Sequence, residues 1–291
     1  MRFFCEMKKF VVAYVMLLLM VACNSGAGQK GEATESVEVV DSAALEVDSI
    51  CEAPDAEEII PATADESFTD FFYNFASDAD FQLKRILFPL SYYKETKVFR
   101  IQKDGWKYDP LFSKEGIYTF LFDKEEDMEL EEDTSLHSVR VEWIYLKKRK
   151  MKRYYFERKQ DAWFLEAMNL SDLPSSKEKD KEDFFDFFYR FANDSTFQRE
   201  RLARPLYFVT ADPEDEFQIL ETVLEEGQWF AFQPPMPKVR IANITYGQNE
   251  NLDSSTKVME FKGLGNGFCN TLYFERRKGI WKLVRFEDLS D

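Results

Sequence analysis

Arg85 and Arg201 are the residues of this 291-residue chain whose type and spacing most invite a chemical role. Each closes the same string, Asp-x-x-x-Gln-x-x-Arg, at Asp78 to Arg85 and again at Asp194 to Arg201. A guanidinium presents a planar fork of donors that meets a carboxylate or phosphate with two parallel hydrogen bonds. The two arginines are therefore candidate ligand-binding residues, each lining a pocket and holding an anionic ligand. The competing reading is structural, with each arginine pairing with a nearby carboxylate to fix a helix against a sheet. Asp70/Asp186, Asp78/Asp194, Gln82/Gln198, Glu157/Glu275 and Arg158/Arg276 recur in the same way.

Catalytic chemistry has little to work with. His137 is the single histidine, and its counterpart in the second copy falls near Ser255. Imidazole is thus no part of a task shared by both copies. HExxH, EF-hand and paired-cysteine patterns are missing, so no metal site and no cofactor are expected. Gly263-Leu-Gly-Asn-Gly267 resembles a phosphate loop only in composition. It lies between strand-like runs with no helix behind it, and reads as a turn. Lys147-Lys-Arg-Lys-Met-Lys-Arg153 could suggest nucleic acid, but the second copy has Gly265-Asn-Gly-Phe-Cys-Asn-Thr271 there. The run is expected to be a solvated hairpin tip.

The N-terminus reads as an address. Arg2, Lys8 and Lys9 precede the wholly apolar Phe10 to Met20, followed by Val21-Ala22-Cys23. That is a signal peptide over residues 1–22. Its apolar stretch is too short to cross a bilayer, which needs about 20 residues. Val-Ala-Cys23 resembles the lipobox of bacterial lipoproteins, which implies lipidation at Cys23, a membrane anchor and a cell-envelope location. Asn24 after the cysteine, where an aspartate is absent, favours the outer membrane by the same resemblance. Residues 24 to 64 contain no Phe, Trp or Tyr, ten acidic residues and only Lys30 in balance. Such a segment buries too little to offset its ordering entropy, so residues 23–64 are expected to form a lipidated tether reaching about 35 Å.

Formal net charge is −16, and removal of a leader of net +2 leaves −18. An envelope protein so acidic repels nucleic acid. Cys51 and Cys269 remain as thiols after processing, without a disulfide framework, although a bridge between them is possible in an oxidising envelope.

The elements that position these residues come in duplicate. Phe68 to Leu90 and Phe184 to Leu206 are identical at 13 of 23 positions, at an offset of 116. Tyr155 to Leu165 returns as Tyr273 to Leu283 at an offset of 118. In each copy four phenylalanines (Phe68, Phe71, Phe72, Phe75; Phe184, Phe187, Phe188, Phe191) fall at i, i+3, i+4, i+7, one face of a helix. Roughly 2 kcal/mol per buried ring outweighs the mediocre helix propensity of Phe, provided a sheet covers the stripe. Asp78 and Asp194 look like N-caps of a second short helix that Pro89 and Pro205 end. Strands are expected at Ile117–Phe122, Val139–Leu146, Tyr154–Lys159 and Ala162–Met168. The second copy offers Val239–Tyr246, Thr256–Lys262, Leu272–Arg277 and Trp281–Phe286, with a tight turn at Lys278-Gly279. Asp123 to Asp133 reads as a loop.

Helices followed by a Tyr-Phe-Glu-Arg…Trp-x-Leu hairpin resemble the NTF2-like α+β fold. The string Phe-x-x-Phe-Phe-x-x-Phe-x-x-Asp-x-x-Phe-Gln-x-x-Arg…Pro-Leu is similar to a family of uncharacterised Bacteroides-type lipoproteins. The resemblance implies two tandem cone-shaped domains, each with N-terminal helices packed on a strongly bent antiparallel sheet. Their expected extents are 65–173 and 182–291, joined by a linker at 174–181, and each half is expected to bury its own phenyl stripe. It implies no activity, because the fold hosts enzymes, ligand binders and adaptors alike.

The resulting expectation is an envelope-anchored, non-catalytic binding module for a small molecule, glycan or peptide, with no catalytic residue. One alternative is a protein–protein adaptor in the cell envelope. Another is an isomerase- or hydrolase-type enzyme, which would need a buried carboxylate in the cone paired with a tyrosine. Whether each cone is open or plugged by its own aromatics separates these readings.

Overall fold

The computed structural model describes residues 67–175, 180–212, 218–248 and 251–290. All of them lie within one compact unit. The leader, the tether, Cys23 and Cys51 fall outside the described residues. Among the described residues no helix is long and apolar enough to cross a membrane.

Each repeat opens with two helices: α1 (Phe68–Ser77) and α2 (Ala79–Lys84), then α3 (Phe184–Asn193) and α4 (Ser195–Glu200). The aspartates between them cap as expected. Asp78 accepts from the amides of Asp80 and Phe81 at 2.8 and 3.0 Å, and Asp194 from those of Thr196 and Phe197 at 2.9 and 3.1 Å. The phenyl stripes are buried, and in each repeat one sheet phenylalanine sits at their centre. Phe156 lies 5.5 Å from Phe68 and 5.2 Å from Phe75; Phe274 lies 5.5 Å from Phe184 and 5.6 Å from Phe191. Trp163 and Trp281 close the stripes edge-on, at 5.0 and 5.1 Å from the first ring.

The first repeat contributes β1 (Ile86–Lys94), β2 (Lys97–Ile101), β3 (Ile117–Phe122), β4 (Ser138–Tyr145), β5 (Lys150–Lys159) and β6 (Ala162–Asp172). The second contributes β7 (Leu202–Ala211), β8 (Ile219–Leu224), a helix α5 (Glu226–Phe232), β9 (Arg240–Thr245), β10 (Thr256–Gly263), β11 (Cys269–Arg277) and β12 (Ile280–Asp288). The eight expected strands are present. The hairpins β1–β2 and β7–β8 were not foreseen, and Pro89 and Pro205 lie inside β1 and β7 rather than ending helices. Both strands change register against their parallel neighbour in the stretch holding the proline, so the missing N–H falls at an irregularity of the ladder. Pairings β1–β6 and β7–β12 are parallel, so each sheet is mixed rather than wholly antiparallel. The acidic stretch expected as a loop holds a 3₁₀ helix at Glu125–Glu132.

The sheets do not respect the repeat boundary. Their orders are β2-β1-β6-β5-β4-β9 and β3-β10-β11-β12-β7-β8. Each repeat therefore gives its third strand to the other repeat's sheet. β9 runs antiparallel to β4 with Ala242 opposite Trp143, and β3 antiparallel to β10 with Phe120 opposite Glu260. Where the exchanged strands meet, Thr119 Oγ1 donates to the Ala242 carbonyl at 2.6 Å. The Leu121 amide donates to Asn243 Oδ1 at 2.8 Å. The two cores are exchanged accordingly. Ile244, Tyr246 and Val258 pack with the first stripe, and Leu121, Ile144 and Met151 with the second. The expectation that each half buries its stripe alone is thus corrected: two cores exist, but neither closes without a strand from the other repeat.

Candidate functional site

The proposed arginines do not form it. Arg85 is fully buried, its Nη1 donates to the Trp163 carbonyl at 3.2 Å, and its guanidinium lies 5.0 Å from the Phe81 ring. Arg201 donates to both oxygens of Glu182, at 2.8 and 3.1 Å, and to the Trp281 carbonyl at 3.2 Å. Both guanidiniums tie helix ends to the last hairpin; Arg201 does so with a carboxylate as well, and Arg85 through the Trp163 carbonyl. Neither lines the cleft described below. The basic run is not simply solvated either. Arg149 pairs with Asp183 and Asp186, Lys150 with Asp172, Lys152 with Asp109 and Arg153 with Glu142. It neutralises carboxylates of this fold. His137 is exposed, and its carbonyl accepts from the Arg158 amide at 2.9 Å, as that of Ser255 accepts from Arg276 at 2.7 Å.

Cone one is plugged by its own chain. Phe112 packs edge-on against Trp143 at 4.7 Å and Phe72 at 5.4 Å. Gln82, fully buried, clasps the segment that leads to this plug. Its Nε2 donates to the carbonyls of Phe75 and Asp109 at 2.9 and 2.8 Å. Its Oε1 accepts from the Asp109 amide at 3.0 Å and from Trp106 Nε1 at 3.1 Å. One carboxamide thus holds both the N–H and the C=O of Asp109. The hydroxyls of Tyr108 and Ser113 donate to the Ala76 carbonyl at 2.6 and 2.8 Å, pinning the same segment to the end of α1.

In the second repeat the place of that clasped segment over the helices is a cleft of ≈ 760 Å³ between α3–α4 and the segment after α5. Phe191, Ala192, Gln198, Phe230, Pro235 and Met236 are among its walls. Gln198, the counterpart of Gln82, is only 4% exposed. Among the described residues its side-chain amide makes no hydrogen bond. Trp229 stands 123 positions after Trp106, the offset that also relates β3 to β9, yet its buried indole N–H meets no acceptor among the described residues. It packs instead against Phe286 and Phe191, at 5.4 and 6.3 Å. At that offset Pro235 replaces the plugging Phe112, and Ala231 and Met236 replace the hydroxyl donors Tyr108 and Ser113. Asn193 closes the rim by donating to the carbonyls of Tyr189 and Lys238 at 2.8 and 3.1 Å.

A second pair of polar residues escaped the sequence reading. Glu142 and Glu260, 118 positions apart on β4 and β10, are both buried. The signal was available in the alignment of Val141-Glu142-Trp143 with Met259-Glu260-Phe261. Glu142 accepts from Arg153 Nε at 2.9 Å and from Asn243 Nδ2 at 3.0 Å. Glu260 faces Lys262 at 3.3 Å, and burial pushes its carboxyl up to about 7, with Lys262 opposing. It is the buried carboxylate that an acid–base enzyme would need. It lies against the filled first core, does not line the cleft and, among the described residues, makes no tyrosine hydrogen bond. No group of His, Cys, Asp and Glu able to hold a metal occurs among the described residues.

Comparison with known proteins agrees with this architecture. Residues 47–288 match the family described as Domain of unknown function (DUF4348). No curated protein matches the chain. An NTF2-like protein from Bacteroides fragilis NCTC 9343, known from a crystal structure, shares 53% sequence identity with a TM-score of 0.75, over 78% of this chain and 98% of that one. A fold of this type suggests a binding or ligand-handling module. With the family match spanning most of its length, the chain belongs to the DUF4348 family and carries an NTF2-like fold.

Proposed function

We propose that the protein is an envelope-anchored lipoprotein, lipidated at Cys23, whose second NTF2-like repeat is a non-catalytic binding module for a small molecule, glycan or peptide. The observation that carries this reading is the asymmetry between the copies. In the first repeat the clasped segment covers its glutamine and satisfies it; in the second a cleft between helices and loop lies beside the counterpart, whose amide has no protein partner among the described residues. A carboxamide set in the wall of a cleft, with no protein partner, offers a ligand one donor and one acceptor. A thermal-shift screen of the full-length protein against envelope oligosaccharides, peptides and small metabolites tests it, since a ligand specific to the native state raises the melting temperature. Stabilisation by none of these classes would sink the proposal. Anchoring is tested separately: a palmitate analogue should label the wild type in bacteria and leave Cys23→Ser unlabelled.

An adaptor function is the second reading, and one surface favours it. Tyr207 and Val223 pair across β7–β8 and, with Ile219, present exposed large apolar side chains on one face of that hairpin. Crosslinking in intact cells would favour this reading if it trapped one stoichiometric protein on that hairpin while the cleft bound nothing.

A further inference from the structure

We infer that the cleft of the second repeat takes an extended peptide segment, with Gln198 clasping the N–H and C=O of one residue. This rests on the binding-module reading above and names its ligand class. The first repeat supplies the template, because the occupant held there by the equivalent glutamine is itself a stretch of polypeptide. Gln82 spans both backbone groups of Asp109, at 3.0 and 2.8 Å, the paired donor and acceptor that a carboxamide offers to a strand. The duplication reproduces the receiving side. α3 and α4 repeat α1 and α2, Gln198 repeats Gln82, and Ala192 stands where the carbonyl of Ala76 accepts two hydroxyls. Only the occupying side has changed, through Pro235, Ala231 and Met236. A ligand that restores it carries one residue in extended backbone conformation for Gln198. A neighbouring Tyr, Ser or Thr hydroxyl serves the Ala192 carbonyl, and an apolar side chain lies between Phe191, Phe230 and Met236.

A glycan could also satisfy a carboxamide through its hydroxyls. The peptide is favoured because one glutamine here already bonds a single residue's N–H and C=O, a spacing that the copied helices preserve.

The probe is a fluorescein-labelled peptide with the sequence of residues 102–113, titrated by anisotropy into the full-length protein. Saturable binding is expected, weakened more than tenfold in Gln198→Met. A second variant, Met236→Trp, fills the cleft from its loop and should abolish binding even if Gln198→Met folds poorly. Circular dichroism and melting temperature confirm that each variant is folded. Saturable binding unchanged by either folded variant would overturn the inference. So would Gln198-dependent stabilisation by oligosaccharides with no peptide binding, which would leave the binding-module reading standing. Absence of any binding, by peptides, sugars or metabolites, would defeat both.

Discussion

Exchanging a single glutamine for methionine should have opposite consequences in the two repeats. In the first, Gln82 is fully buried and makes four hydrogen bonds between 2.8 and 3.1 Å. Methionine has similar volume, so packing changes little, but four partners lose their bonds. An unsatisfied buried group costs about 1–3 kcal/mol, and the Asp109 peptide and Trp106 indole are half-buried and recover part of this from water. Gln82→Met should therefore cost roughly 3–5 kcal/mol. In the second repeat the same replacement removes an amide with no partner, so no hydrogen bond is lost. Gln198→Met should stay within about 1 kcal/mol of wild type, since the amide faces the cleft and loses no protein partner. For a unit of this size, 1 kcal/mol moves the melting temperature by about 2–4 °C, so the two variants should differ by roughly 10 °C. Urea unfolding followed by tryptophan fluorescence measures both. Equal losses in the two variants would refute the claim that Gln198 has no protein partner, and with it the inferred peptide site.

Further expectations follow from the same contacts. Burial holds the Glu260 carboxyl at about 7 against 4.5 in the unfolded chain. Both states are protonated below pH 4.5; from there to pH 7 only the unfolded chain releases its proton, so stability falls by roughly 3 kcal/mol in total. Glu260→Gln should therefore gain on wild type across pH 4.5–7 and hold a constant lead above it. A pH-independent difference in urea midpoints would contradict this. The strand exchange is tested by cysteine pairs in a background without native cysteines. Oxidation should join Tyr118→Cys to Lys262→Cys, which face each other across β3–β10, and should not join Tyr118→Cys to Ile144→Cys, the partner that an unexchanged β3 would have. Gly279 has φ +77°, and an added Cβ would sit 2.4 Å from the Asp180 carbonyl oxygen. Gly279→Ala should thus cost more than 1 kcal/mol by thermal melting, whereas Gly227→Ala, with open space, should not.

The phenyl stripes, the caps at Asp78 and Asp194 and the eight central strands were legible because each rests on local spacing. The exchange of β3 and β9 was not. Strand spacing shows that Ile117–Phe122 and Arg240–Thr245 are extended but not which strand each pairs with, and that choice is made by non-local contacts such as Thr119 to Ala242 and Leu121 to Asn243. The hairpins β1–β2 and β7–β8 were hidden by Pro89 and Pro205, which read as helix stops and not as irregular points in a strand. Arg85 and Arg201 drew attention as duplicated charges, although their duplication reflects a shared structural task. The informative difference lay beside an identity: Gln82 and Gln198 match, as do Phe75/Phe191 and Trp106/Trp229, while Asp109, whose peptide groups Gln82 clasps, is replaced by Phe232. Identity between copies marked the receptor side, and divergence marked the cleft.

The most direct test is a titration of ¹⁵N-labelled full-length protein with the residue 102–113 peptide, following side-chain amide resonances assigned by Gln82→Met and Gln198→Met. The account predicts a saturable shift of the Gln198 amide while that of Gln82, already held by its own chain, stays in place. Equal movement of both, or of neither, would contradict it.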